Sequence, residues 1–289
     1  MSKGHSHHHP SEQGNLKTAF LVNVSFCFIE ILGGWYTNSL AILSDALHDL
    51  GDSFSLGLAL YFQNLSKKER DNNYSYGYGR FSLLGAVINS MILIFGSLVI
   101  AFHAIPKLWE PTEPLAEGMI LLAILGVIVN GYAVYITKRG ASLNEKVISL
   151  HLFEDVLGWV AVLVGAIIIL YTSWTIIDPI LSVGIAIYIA FHALKNFRFS
   201  IGILLQKTPS NVNLNSIHRT IRSQEDVLNF QDCHIWSLDG EFNILSVIVE
   251  VDPNTDLEKQ THIKERLSRA LINLNIDHST IEFQPAVKK

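Results

Sequence analysis

Two short stretches hold the residues best suited to chemistry. One reads Ser44-Asp45-Ala46-Leu47-His48-Asp49-Leu50-Gly51-Asp52, the other His151-Leu152-Phe153-Glu154-Asp155. Each contains His-x-x-x-Asp, pairing His48 with Asp52 and His151 with Asp155. On a helix, residues i and i+4 share one face, with side chains about 6 Å apart. Two such helices packed together would offer two imidazole nitrogens and two carboxylates. That is a tetrahedral shell for Zn²⁺, whereas an all-oxygen set would suit Mg²⁺, Ca²⁺ or Mn²⁺. A single copy of the pattern would carry little weight, because a lone membrane histidine commonly bonds one helix to another. Asp45 and Asp49 are also an i,i+4 pair and form a rival, all-carboxylate arrangement. The repeated spacing favours His48, Asp52, His151 and Asp155. Asp45 is then a supporting or gating carboxylate. Asp49, about 100° round the helix, is a cavity or interface group.

The elements that must position these residues are apolar. The chain has 289 residues, 49% hydrophobic and only 16% charged, against about 25% charged in a typical soluble domain. Phe81–Pro106, Gly118–Thr137, Val156–Ile177 and Pro179–Leu194 contain no Lys, Arg, Asp or Glu. A membrane span needs about 20 mostly apolar residues. Six spans are expected, near 16–37, 39–62, 81–106, 117–137, 147–171 and 176–198. No signal-peptide pattern precedes the first, so it should be retained. A net charge of −5 argues against nucleic acid as a partner. Two cysteines, Cys27 and Cys233, exclude a disulfide framework.

Six spans place 12 of the 13 basic residues of the membrane half on one side, leaving only Lys107 on the other. By the positive-inside rule both termini are cytoplasmic, and the expected location is the cell (inner) membrane. Glu30, Asp45, Asp49, Asp52, Glu154 and Asp155 fall inside spans whose interiors hold no Lys or Arg to pair with them, Lys17 standing at the very edge of the first. Bare carboxylates at bilayer depth are costly, so these must be protonated, face water or bind a cation.

At this point the sequence resembles the cation diffusion facilitator family, zinc-exporting type. The resemblance rests on Asn38-Ser39-Leu40-Ala41-Ile42-Leu43-Ser44 running into the first stretch, Tyr76-Gly77-Tyr78-Gly79-Arg80-Phe81, Asp178-Pro179 and His234-Ile235-Trp236-Ser237. It implies six transmembrane helices, a cytoplasmic ferredoxin-like domain, a homodimer and Zn²⁺/H⁺ exchange. It also carries the transport ligands onto the four residues chosen by spacing.

The composition changes at Thr208, and the residues after it hold 8 basic and 12 acidic side chains. The expected organisation is a His-rich cytoplasmic tail (1–15), a six-helix membrane domain (16–207) and a soluble domain (208–289). In the last, a helix at Asn213–Ser223, strands at Val227–Ser237 and Phe242–Val251, a helix at Asp256–Leu274 and a strand at Ser279–Gln284 give an αββαβ sandwich. A regulatory Zn²⁺ there would use His234, His262 and Glu282, with His278 and Cys233 as further candidates. The strand at 243–251 lacks histidine, so part of the family's pattern is missing. His5, His7, His8 and His9 could collect metal ahead of the first span.

Ligand chemistry suggests the mechanism. Zn²⁺ needs neutral imidazole and ionised carboxylate, so protons compete with it. Alternating exposure of one site would couple proton entry to metal exit, with no cofactor and no covalent chemistry. Cd²⁺, Co²⁺ and Fe²⁺ could use the same ligands. The other classes are a membrane-bound metal sensor, with its chemistry in the tail, and a passive cation channel, which would need a continuous polar pore.

Overall fold

The computed structural model describes residues 10–66, 68–137 and 143–286. Six long helices come first: α1 Pro10–Thr37, α2 Leu40–Ser66, α3 Phe81–Ala104, α4 Ala116–Thr137, α5 Leu143–Thr172 and α6 Ile177–Leu204. The shortest, α4, has 22 residues and reaches about 33 Å, enough to cross a hydrocarbon core of about 30 Å. Among the described residues, α3 to α6 each hold a segment long and apolar enough to cross a membrane. α1 adds the apolar run Val24–Thr37. α2 is less apolar because three aspartates and His48 lie along it.

Several helices run past the spans read from hydropathy. α6 continues to Leu204 and α5 begins at Leu143. The physical reason is that charged residues such as Lys195 and Arg198 end an apolar run without ending the backbone hydrogen-bond ladder. The helical tail before the first span reaches back to Pro10, while His5, His7, His8 and His9 lie outside the described residues.

The chain forms two compact units, Met1–Leu58 with Ile88–Asn196, and Ala59–Val87 with Phe197–Lys289. In the first, small residues let helices approach closely, as membrane bundles require. Leu47 of α2 lies over Gly96 of α3, and Leu93 of α3 over Gly51 of α2. A Cβ on Gly126 of α4 would sit 2.2 Å from the Trp159 ring of α5, so only glycine admits that indole. Trp159 is fully buried, with the Phe26 ring of α1 5.5 Å away.

In the second unit, α7 (Leu214–Arg222), β1 (Asn229–Ser237), β2 (Asn243–Val251), α8 (Leu257–Ile272) and β3 (His278–Pro285) follow in that order. Asn213 and Asp256 cap the two helices by accepting the backbone N–H groups of Ser216 and Lys259. The sheet order is β1-β2-β3, with β1 antiparallel and β3 parallel to β2. Ile217, Ile221, Ile263, Leu267 and Leu271 of the helices pack on Leu245, Val247 and Val249 of β2. One sheet face is thus covered and the other open. The same unit holds the loop between α2 and α3. There the Asp71 carboxylate accepts the N–H groups of Asn73 and Tyr74, each at 2.9 Å, and the Tyr78 hydroxyl at 2.7 Å.

Candidate metal-transport site

The site lies where α2 meets α5. His48 Nε2 stands 3.6 Å from Asp155 Oδ1. Asp155 is buried and His48 half-buried, with a side-chain exposure of 17%. One turn further along α5, Gly158 faces α2: a Cβ there would stand in ordinary contact, 3.6 Å from Asp45 Oδ1. The two helices therefore run antiparallel, with 48 opposite 155 and 45 opposite 158. Trp159, locked between Phe26 and Gly126, fixes the rotation of α5 that turns Asp155 toward α2. The side chains of Asp52 and His151 lie outside the described residues.

Around this pair the structure gathers further carboxylates. Asp45 and Asp49 are both buried on α2. Glu30 of α1 is completely buried within electrostatic reach of Asp45, Asp49, His48 and Asp155. The Cys27 thiol, three residues before Glu30, donates to the Ala46 carbonyl at 3.4 Å and holds α1 against α2. Glu154 behaves differently, being exposed and accepting the Tyr188 hydroxyl at 3.1 Å.

One positioning residue escaped the spacing argument. Asp178, in the first turn of α6, caps α2 rather than its own helix. Its Oδ1 accepts the Ser39 hydroxyl at 2.5 Å and the Ala41 N–H at 3.3 Å, and its Oδ2 accepts the Leu40 N–H at 2.9 Å. All of these groups are buried. The cap satisfies N–H groups that the start of a helix leaves open, and it ties the helix carrying His48 to α6. An Asp-Pro step opening a span was the visible signal, but nothing local to it names α2 as the partner.

The cytoplasmic candidates do not converge within one chain. His234 on β1 pairs with Ser246, while Glu282 on β3 pairs with Ile248. Both lie on the open face, separated by the width of β2, or about 10 Å. His262 is exposed on α8, which packs on the opposite face. Among the described residues no three His, Cys, Asp or Glu side chains are grouped to hold a metal. Burial raises the Cys233 thiol above its ordinary pKa, which works against a thiolate ligand.

A polytopic helical bundle with paired imidazole and carboxylate inside it, followed by a small α+β domain, defines a membrane transporter of metal cations. Sequence profiles agree. That of the cation efflux transmembrane domain matches residues 16–205, and that of the cation efflux protein cytoplasmic domain matches residues 209–286. The chain belongs to the cation efflux family, the cation diffusion facilitators. It is 35% identical, over 97% of its length and 92% of the relative's, to the cadmium, cobalt and zinc/H(+)-K(+) antiporter of Bacillus subtilis. It is 33% identical, over 99% of its length and 91% of the relative's, to the metal cation efflux system protein CzcD of Cupriavidus metallidurans. With the zinc transporter ZitB of Escherichia coli it shares 30% identity, over 99% of its length and 94% of that protein's.

Proposed function

We propose that this protein is a secondary active transporter that exports Zn²⁺ from the cytoplasm in exchange for H⁺. Its substrate site is built from His48, Asp52, His151 and Asp155. The observation that carries the reading is the approach of His48 to Asp155 across α2 and α5. The antiparallel register that sets 48 against 155 and 45 against 158 also sets backbone positions 52 and 151 opposite one another. Each helix would then contribute one nitrogen and one oxygen donor, with one of each at both of two neighbouring levels, a set of four suited to tetrahedral Zn²⁺. Cd²⁺, Co²⁺ and Fe²⁺ accept the same donors.

The coupling follows from the donors. Imidazole binds metal only when neutral, with a reference pKa of about 6.5, and the carboxylates bind it only when ionised. A site open to the more alkaline cytoplasm loads the cation, and the same site open to a more acidic outside takes protons and releases it. No resident cofactor is involved. Asp45 acts as a supporting or gating carboxylate beside this site, with Asp49 and Glu30 buried nearby. We further propose a homodimer in the cell (inner) membrane, with both termini cytoplasmic and residues 208–289 forming a cytoplasmic domain that could bind a regulatory Zn²⁺.

The test is Zn²⁺ uptake by inverted vesicles with an imposed pH gradient, acid inside, repeated with Cd²⁺, Co²⁺ and Fe²⁺. Uptake should depend on the gradient, collapse with a protonophore and vanish in Asp155→Ala. Uptake indifferent to the gradient would point to a channel, and its absence to a sensor.

A further inference from the structure

The cytoplasmic end of α6 makes a cavity that the transport reading does not use. α6 closes at Leu204 in a left-handed turn: Gln206 has φ 59°, Gln206 N–H donates to the Ile203 carbonyl at 3.0 Å, and Lys207 N–H donates to the Gly202 carbonyl at 2.8 Å. This C-terminal motif folds the chain back on its last turn. It lays the Lys207 stem across Gly202, where a Cβ would stand 3.4 Å from Lys207 Cδ. Arg198 is one turn before Gly202, on the same helix face. Both cations line a cavity of about 180 Å³, together with Thr208, Ser210 and Asn211. Among the described residues no carboxylate pairs with Arg198 or Lys207. Two cations on one wall repel each other unless an anion lies between them.

Depth decides what kind of anion. At 1.5 Å per residue, Arg198 is about 32 Å along α6 from Ile177, just beyond a hydrocarbon core of about 30 Å. That is the headgroup layer, where basic pockets beside membrane helices take lipid phosphates. Phe199 next to Arg198 is 58% exposed, an apolar neighbour suited to the glycerol and upper acyl chain.

We propose that this cavity binds the phosphate of an anionic phospholipid headgroup, held by Arg198 and Lys207 with the hydroxyls of Thr208 and Ser210. The site is independent of which cation is carried, and its test is a binding measurement. Full-length protein in detergent is titrated with phosphatidylglycerol or phosphatidylcholine, and retained lipid is counted by native mass spectrometry. The parent should retain phosphatidylglycerol about tenfold better. Arg198→Gln with Lys207→Gln should erase that preference, while Arg198→Lys with Lys207→Arg should keep most of it. Lys195→Gln, which removes a charge of the same leaflet outside the cavity, should leave it unchanged. An equal loss in Lys195→Gln would reduce the preference to general surface charge and overturn the site. Displacement of the lipid by millimolar inorganic phosphate would overturn the lipid in favour of a free ion.

Discussion

His48 of α2 and Asp155 of α5 face each other with Nε2 and Oδ1 3.6 Å apart, and no residue between them in the chain brings this about locally. The contact depends on Trp159, whose packing against Phe26 and Gly126 fixes α5 in rotation. Its consequences can be measured.

Asp155→Ala should abolish Zn²⁺ transport while the protein still inserts and folds, because it removes the carboxylate that faces His48 across the two helices. Loss of a ligand or its direct support typically costs 10–100-fold or more in metal affinity. Glu154→Ala, which removes an exposed carboxylate bonded to Tyr188, should keep most of the rate. Equal activity of Asp155→Ala and parent in vesicle flux would shift the site to Asp45 and Asp49.

His48→Asp should move selectivity from Zn²⁺ toward cations that accept more oxygen ligands, such as Cd²⁺ or Mn²⁺. The readout is the ratio of initial rates across the metals at fixed pH gradient. Unchanged ratios would show that His48 does not touch the cargo.

Asp178→Ala should destabilise the bundle by about 3 kcal/mol, since it strands a buried hydroxyl and two buried N–H groups. Asp178→Asn retains one acceptor and should lose about half as much. Thermal unfolding in detergent measures both. A melting temperature equal to the parent's would mean that the cap of α2 is not needed to hold it.

The α2–α3 loop should resist acid. The hydroxyl of Tyr78 and the N–H groups of Tyr74 and Asn73 hold the Asp71 carboxyl down at about 2. A depressed folded pKa gives stabilisation that is complete above the unfolded value of about 3.9 and is lost as pH falls toward the folded one. Amide protection at Asn73 and Tyr74 should therefore persist to about pH 3 in the parent. It should fail nearer the ordinary carboxylate range in Tyr78→Phe. Matching hydrogen-exchange profiles for the two proteins would rule out that hydroxyl as the cause.

Much of this protein can be read from its residues alone. Charge-free runs define the membrane helices because a bilayer tolerates few unpaired charges; α3 and α4 follow those runs closely, and α5 and α6 contain most of theirs. The αββαβ order of the tail follows from the composition and spacing of its short apolar segments, since these are local signals. The His-x-x-x-Asp spacing identifies candidate ligands because helix geometry alone puts i and i+4 on one face. What spacing cannot contain is the partner of each face. Only packing brings Asp155 to His48, sets Glu30 beside Asp45 and Asp49, and makes Asp178 the cap of α2, because these contacts join segments far apart in sequence. Packing also separates His234 and Glu282 from His262, which residue types alone would group, because the sheet lies between them. The helix ends past the hydropathy limits were equally hidden: an apolar run reports where lipid stops, whereas the hydrogen-bond ladder stops only at a cap, as at Gln206 after α6.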